Sequence, residues 1–300
     1  MNQHLMLMVM ERSSLLSSKP LTLSILTTLT PALSWAGQYD FSLSQIEGSS
    51  EYFVESESQE LTSKLIFPYR FATATFRASD SLWDGSASFE VTFPISSFNK
   101  KGEDYDWQNK QLTVYSSSQN NLENFFSSKI QWKFSILKNL QLVTSISYDV
   151  LDFSWIDTYQ KDYVKNETSF KAGRTLSYKQ SFYLFELGCS YTQVLSQNSS
   201  IELLPKIALG YAETKDQHLL RGFYTLHESR LNGLNIEIKN HYQLNKTQNF
   251  SVGLAYKKLI GKTSKMNYYS IYNENVSFAS YPAKFSNESI TLGLTYSIKY

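Results

Sequence analysis

The chain closes on Ile290-Thr291-Leu292-Gly293-Leu294-Thr295-Tyr296-Ser297-Ile298-Lys299-Tyr300, in which apolar side chains occupy every second position. Successive residues of a strand point to opposite faces, so this segment carries one apolar face and one of Thr, Gly, Ser and Lys. A soluble β-sandwich can present such a face. A membrane barrel also can, with lipid on one side of each strand and a polar lumen on the other.

The same period recurs at 83–95, 126–136, 140–150, 201–211, 234–238 and 250–256, with less regular runs at 39–54, 65–77 and 173–194. Together with the closing segment these make ten strands, an even number that can close antiparallel. Short connections at 78–81, 137–139, 196–199 and 245–248 are rich in turn-forming Ser, Asn and Asp. Long ones fall at 56–62, 97–121, 156–172, 213–227 and 261–285, and the two classes alternate strictly. A sandwich does not require that alternation, whereas a barrel with short periplasmic turns and long outer loops does. The terminal aromatic Tyr300 also resembles the signal by which bacterial outer-membrane barrels are recognised for insertion. The expected fold is therefore all-β: a ten-stranded antiparallel transmembrane β-barrel with long extracellular loops.

Composition agrees. The chain has 19 Phe, 21 Tyr and 5 Trp beside only 6 Pro. Its mean hydropathy of −0.32 excludes a bundle of membrane helices. A barrel tolerates that value because only alternate strand residues must be apolar. With 28 basic and 27 acidic residues, no broad field calls for a nucleic-acid partner. The lone Cys189 cannot form an internal disulfide and is expected only to pack. Arg12 and Lys19 precede an apolar stretch at 21–33, and Ser34-Trp35-Ala36 supplies small residues for cleavage. Residues 1–36 are thus expected to be an export signal, translated from Met1 or Met10, and 37–300 the barrel; a membrane anchor is the alternative, though the stretch is short and contains Pro31.

Strand parity carries the sequence towards chemistry. With the N-terminus in the periplasm, strands three and seven both end outside. Asp104 and Asp106 follow the third, and Asp216 and His218 the seventh, so both pairs belong to one rim on opposite walls. A histidine beside a carboxylate can be held in one tautomer and take a proton from water. Two facing carboxylates suppress each other's ionisation and can share a proton. Such a set suits hydrolysis by an activated water. Loop Asp and His residues are often merely solvated, and Asp with His can also ligate metal, although His227 is the sole other histidine near His218. His241 is expected to be a structural or lumen-facing residue rather than a ligand.

Gly102-Glu103-Asp104-Tyr105-Asp106-Trp107 resembles the Asp-x-Asp-Trp segment of the omptins, ten-stranded outer-membrane proteases of Gram-negative bacteria. Asp216-Gln217-His218, with Arg221 three residues on and Gly210-Tyr211-Ala212-Glu213 before it, resembles their Asp-x-His segment. Gly173-Arg174 with Tyr178-Lys179-Gln180 is similar to the family's sixth strand. The resemblance implies an endopeptidase in which Asp104 and Asp106 form one couple and Asp216 with His218 the other, with no metal and no cofactor. It further implies polypeptide substrates outside the cell, contact with outer-membrane lipid, a monomer, and dependence on lipopolysaccharide.

Some positions depart from the family. Where an acidic groove residue precedes the Asp-x-His pair, this chain has Thr214, and Glu51 is the expected counterpart of the other acidic groove residue. Two lipid-binding Arg positions are taken by Asp152 and Ser181. A preference for Arg or Lys at the cleaved bond is thereby weakened. The alternative function is a non-catalytic barrel, either a small pore or an adhesin presenting Tyr268, Tyr269, Tyr272 and Phe278.

Overall fold

The computed structural model describes residues 37–55, 61–82 and 84–300, and within these the side chains of 264–265 and 273–280 lie outside the description. The expected export signal, Trp83, residues 56–60 of the first outer connection and the Phe278 side chain therefore fall outside the described residues. The rest is strand and tight turn: β1 Gln38–Glu55, β2 Leu61–Leu82, β3 Gly85–Phe98, β4 Lys100–Gln108, β5 Gln111–Leu137, β6 Leu140–Asp162, β7 Glu167–Val194, β8 Ser199–His218, β9 Phe223–Gln243, β10 Gln248–Ser270 and β11 Asn273–Lys299.

Apart from β3 and β4, which do not pair with each other, every strand pairs antiparallel with its sequence neighbours, and β1 pairs with both β2 and β11, which closes the sheet. The segments β3 and β4 both lie between β2 and β5, interrupted at Asn99, so the eleven segments form ten barrel walls. All ten runs of alternating sequence are found as strands. The segments expected as long outer loops are mostly strand as well: β4 and β5 stay paired until they turn at Asn109 and Lys110, both at positive φ (49° and 65°). That conformation suits a two-residue hairpin whose twist matches its flanking strands. A tilted strand crosses a bilayer in about 9–11 residues. The 27 residues of β5 therefore carry the wall far beyond it.

Phe41, Leu43, Ile146, Ile207, Leu254 and Leu292 are exposed on the outer face, as expected for a lipid-facing belt, and Cys189 is exposed there too. Aromatic contacts rim the belt at both levels. Tyr39, Phe41, Phe76 and Tyr300 cluster at the short-turn end. Phe93, Phe126, Tyr148, Tyr183 and Tyr211 follow one another around the upper edge. Such girdles mark the two membrane interfaces.

Inside the belt the lumen is polar, with paired charges. Arg77 and Lys129 meet Glu90, Lys133 meets Glu202, Lys206 lies between Glu186 and Glu237, and Lys257 meets Asp149. His241 lines this lumen and contacts Glu202 at 3.2 Å, in agreement with its expected side. A cavity of about 670 Å³ runs up from the short-turn end to Phe71, Phe125 and Phe182. Rings then close it: Phe67 of β2 stacks on Tyr178 of β7 at 4.1 Å and 9°, flanked by Tyr52, Phe153 and Trp155. Each large ring buried here contributes about 1.5–3 kcal/mol. The layer is also the floor of the outer cleft, because Tyr178 is the cross-strand neighbour of Asp216.

Candidate active site

The two acidic signatures sit on strands, about 17 Å along the wall above the aromatic girdle if counted from Tyr211 to Asp216 at a strand's usual rise. In β4 the alternation turns Asp104 inward; it is buried, and Ser63 of β2 donates to its Oδ1 at 3.4 Å. Gly102 makes room for the layer beneath, since a Cβ at that position would lie 2.5 Å from the Trp155 indole nitrogen. In β8, Thr214 and Asp216 turn inward and are buried.

His218 Nε2 lies 2.7 Å from Asp216 Oδ2, and its ring stacks on Phe223 at 4.5 Å. An ionised carboxylate can only accept, so Nε2 is the donor to it, and a neutral imidazole in that tautomer carries its lone pair on Nδ1. The Tyr52 hydroxyl donates a hydrogen bond to the same Oδ2. Oδ1 of Asp216 is buried without a partner. The carboxylate is thus held from below while its imidazole is fixed in orientation.

The two halves meet across the cleft at Arg221. Its Nη2 is 3.3 Å from Asp106 Oδ2 and 3.9 Å from Asp104 Oδ2. The guanidinium is pinned at its base by a turn in which the Arg221 and Gly222 amides donate to the His218 carbonyl at 3.3 and 3.0 Å. Gly222 ends that turn at φ +70°, a left-handed conformation that suits glycine. Burial lifts the Asp104 carboxyl to about 7, reinforced by neighbouring Asp106 and opposed by Arg221 and His218. A carboxyl so placed exchanges its proton near neutrality.

All four residues expected at the site, Asp104, Asp106, Asp216 and His218, converge on this rim. The two expected groove residues part company. Thr214 is on the inner wall, two positions below Asp216. Glu51 is not in the groove: it pairs with Lys64 at 3.0 Å on the outer face, while its neighbours Ser50 and Tyr52 point inward to Gln180 and Asp216. Period-two parity is the reason. His227, opposite Thr214, is buried with both ring nitrogens unpartnered, its ring 6.1 Å from Tyr52, and burial pushes it down to about 4. Asp152 and Ser181 lie on the outer faces of β6 and β7, Asp152 opposite Lys179. Sequence reasoning missed Tyr52, Ser63 and the bridging role of Arg221. For Tyr52 a signal existed: it continues the inward polar parity of Asp40, Ser42 and Ser44.

No curated protein matches the sequence. Among solved structures, the outer-membrane protease OmpT from Escherichia coli superposes with a TM-score of 0.70 at 15% identity, covering 88% of this chain and 96% of that one. The translocator domain of the autotransporter NalP from Neisseria meningitidis gives 0.38 at 11% identity, covering 92% and 94%. The model of the omptin family matches residues 40–298. That span takes in the whole closed barrel and both acidic signatures, and the chain belongs to the omptin family of outer-membrane proteases.

Proposed function

We propose that the chain hydrolyses peptide bonds outside the cell through a water held between Asp104/Asp106 and Asp216/His218. His218 Nδ1 takes the proton of that water, Asp216 holds the imidazole, and the resulting hydroxide attacks the scissile carbonyl. The proton shared by the Asp104/Asp106 couple is offered to the carbonyl oxygen as charge develops there. His218 then gives its proton to the amine nitrogen as the C–N bond breaks, and the intermediate returns a proton to the Asp104/Asp106 couple as the new carboxyl group forms. The observation that carries this reading is the convergence of the two couples on one rim, with Arg221, three residues past His218, touching both carboxylates of the opposite wall. The ring layer beneath them leaves an open pore poorly supported as an alternative.

Barrel refolded with and without lipopolysaccharide should be given a peptide library in the presence of chelator, and the products read by mass spectrometry. Cleavage is expected with chelator present, and the two lipid conditions test the lipopolysaccharide dependence implied by the family. His218→Ala and Asp106→Ala should each lower the rate by about a thousandfold or more while leaving heat-modifiable mobility intact. Undiminished cleavage by both variants would remove the assignment.

A further inference from the structure

We propose that Arg221 is a positioning residue of this site: it straps the β8–β9 tip to the opposite wall and holds the Asp104/Asp106 couple to a single shared proton. This rests on the hydrolytic reading above only for its consequence in turnover, since the contact itself is a feature of the fold. One guanidinium reaches two carboxylates, at 3.3 and 3.9 Å, from a residue 115 positions away in sequence. Surface ion pairs are usually worth little. Here, however, Asp104 is only 5% exposed and sits beside a second carboxylate, so its own charge is poorly screened, while Asp106 and the guanidinium remain partly exposed.

Among the described residues, no other side chain supplies this charge. Towards Asp104 and Asp106, β2 presents the uncharged Ser63 and β5 presents Ser116. From across the cleft come His218, Asp216 with its Tyr52 partner, and Tyr268 of β10. Arg221 is thus the one permanent cation facing the couple among the described residues. Its backbone is also fixed: the turn binds back to His218, and the Ile271 amide donates to the Gly222 carbonyl at 2.9 Å, joining the tip to the β10–β11 turn. Both contacts come from the one nitrogen Nη2, so the couple meets the positive charge of the guanidinium rather than its fork.

The test follows Arg221→Ala, Arg221→Gln and Arg221→Lys in refolded barrel whose mobility still shifts on heating. Carbon-13 NMR of the Asp carboxylates reads the couple without needing turnover. Removing the cation should raise its titration by about one pH unit or more. The pH limb of kcat governed by the couple should move up with it. The raised titration keeps the shared proton on the couple at pH 7, so the fall in kcat expected there for a short peptide, about tenfold with KM changed less than about threefold, reads the lost positioning, and Lys should restore the pH profile further than Gln. An unchanged carboxylate titration in both Ala and Gln variants overturns the inference, whatever the activity. A shifted titration in a barrel that cleaves nothing in wild-type form upholds the strap and instead removes the hydrolytic reading.

Discussion

Tyr52 shows how much of the site depends on one hydroxyl. It is buried, its ring lies 5.4 Å from Tyr178, and its hydroxyl supports the carboxylate that orients His218. Tyr52→Phe keeps the ring and removes only that bond. A hydrogen bond to a charged group is worth about 1.5–3 kcal/mol, so kcat should fall roughly 10- to 150-fold with little change in thermal mobility. Asp104 offers a second test. Its folded value near 7 lies well above that of an exposed Asp, about 3.9, so ionising it costs stability as the pH rises between the two values. Asp104→Asn should therefore gain resistance to urea relative to wild type across that window, by no more than about 1.4 kcal/mol per pH unit, and level off above it. A stability difference that is flat from pH 4 to 8 would contradict the raised carboxyl. The four residues proposed for the site were legible because their spacing repeats a family pattern. Tyr52 and Arg221 were not, since their roles depend on which side chains meet across a barrel, which spacing along one strand does not specify.

At the level of strands, the sequence was readable where lipid is. Inside the bilayer one face must be apolar, and the resulting period marks every wall from β1 to β11. Above the girdle both faces meet water or the cleft, the period fades, and β4 with its run Lys100-Lys101-Gly102-Glu103-Asp104 reads as loop although its pairing with β5 continues. Glu51 failed for a related reason. A slip of one residue moves a side chain through the wall, and a loose local alignment does not hold that register. Substrate choice should follow the observed parity. Thr214→Asp restores a carboxylate to the inner wall and should raise cleavage beside Arg or Lys about tenfold over other residues, equivalent to about 1.4 kcal/mol. Glu51→Gln, on the outer face, should leave the cleavage pattern unchanged, as read from the same peptide library.

For the molecule as a whole, the stacked rings separate two environments. Below them the lumen holds matched charges around its cavity; above them lies the rim with its couples. Phe67 is central to this layer, touching Tyr52, Phe153, Trp155 and Tyr178. Phe67→Ala should cost about 3–5 kcal/mol and open a path through the floor. Planar-bilayer recordings should show a rise in conductance over a nearly silent wild type, whereas a wild type that already conducts steadily would contradict a closed floor.

The walls that rise beyond the membrane as continuous paired strands have a mechanical consequence. Among the described residues, a collar cross-linked by backbone hydrogen bonds does not fold over a guest as a lid would, so the guest would have to supply the compliance. Segments that are already slack, such as unstructured tails and long surface loops, could bend down to the proposed couples, while a well-folded domain would be turned away at the mouth. The barrel would then sort polypeptides first by stiffness and only afterwards by sequence.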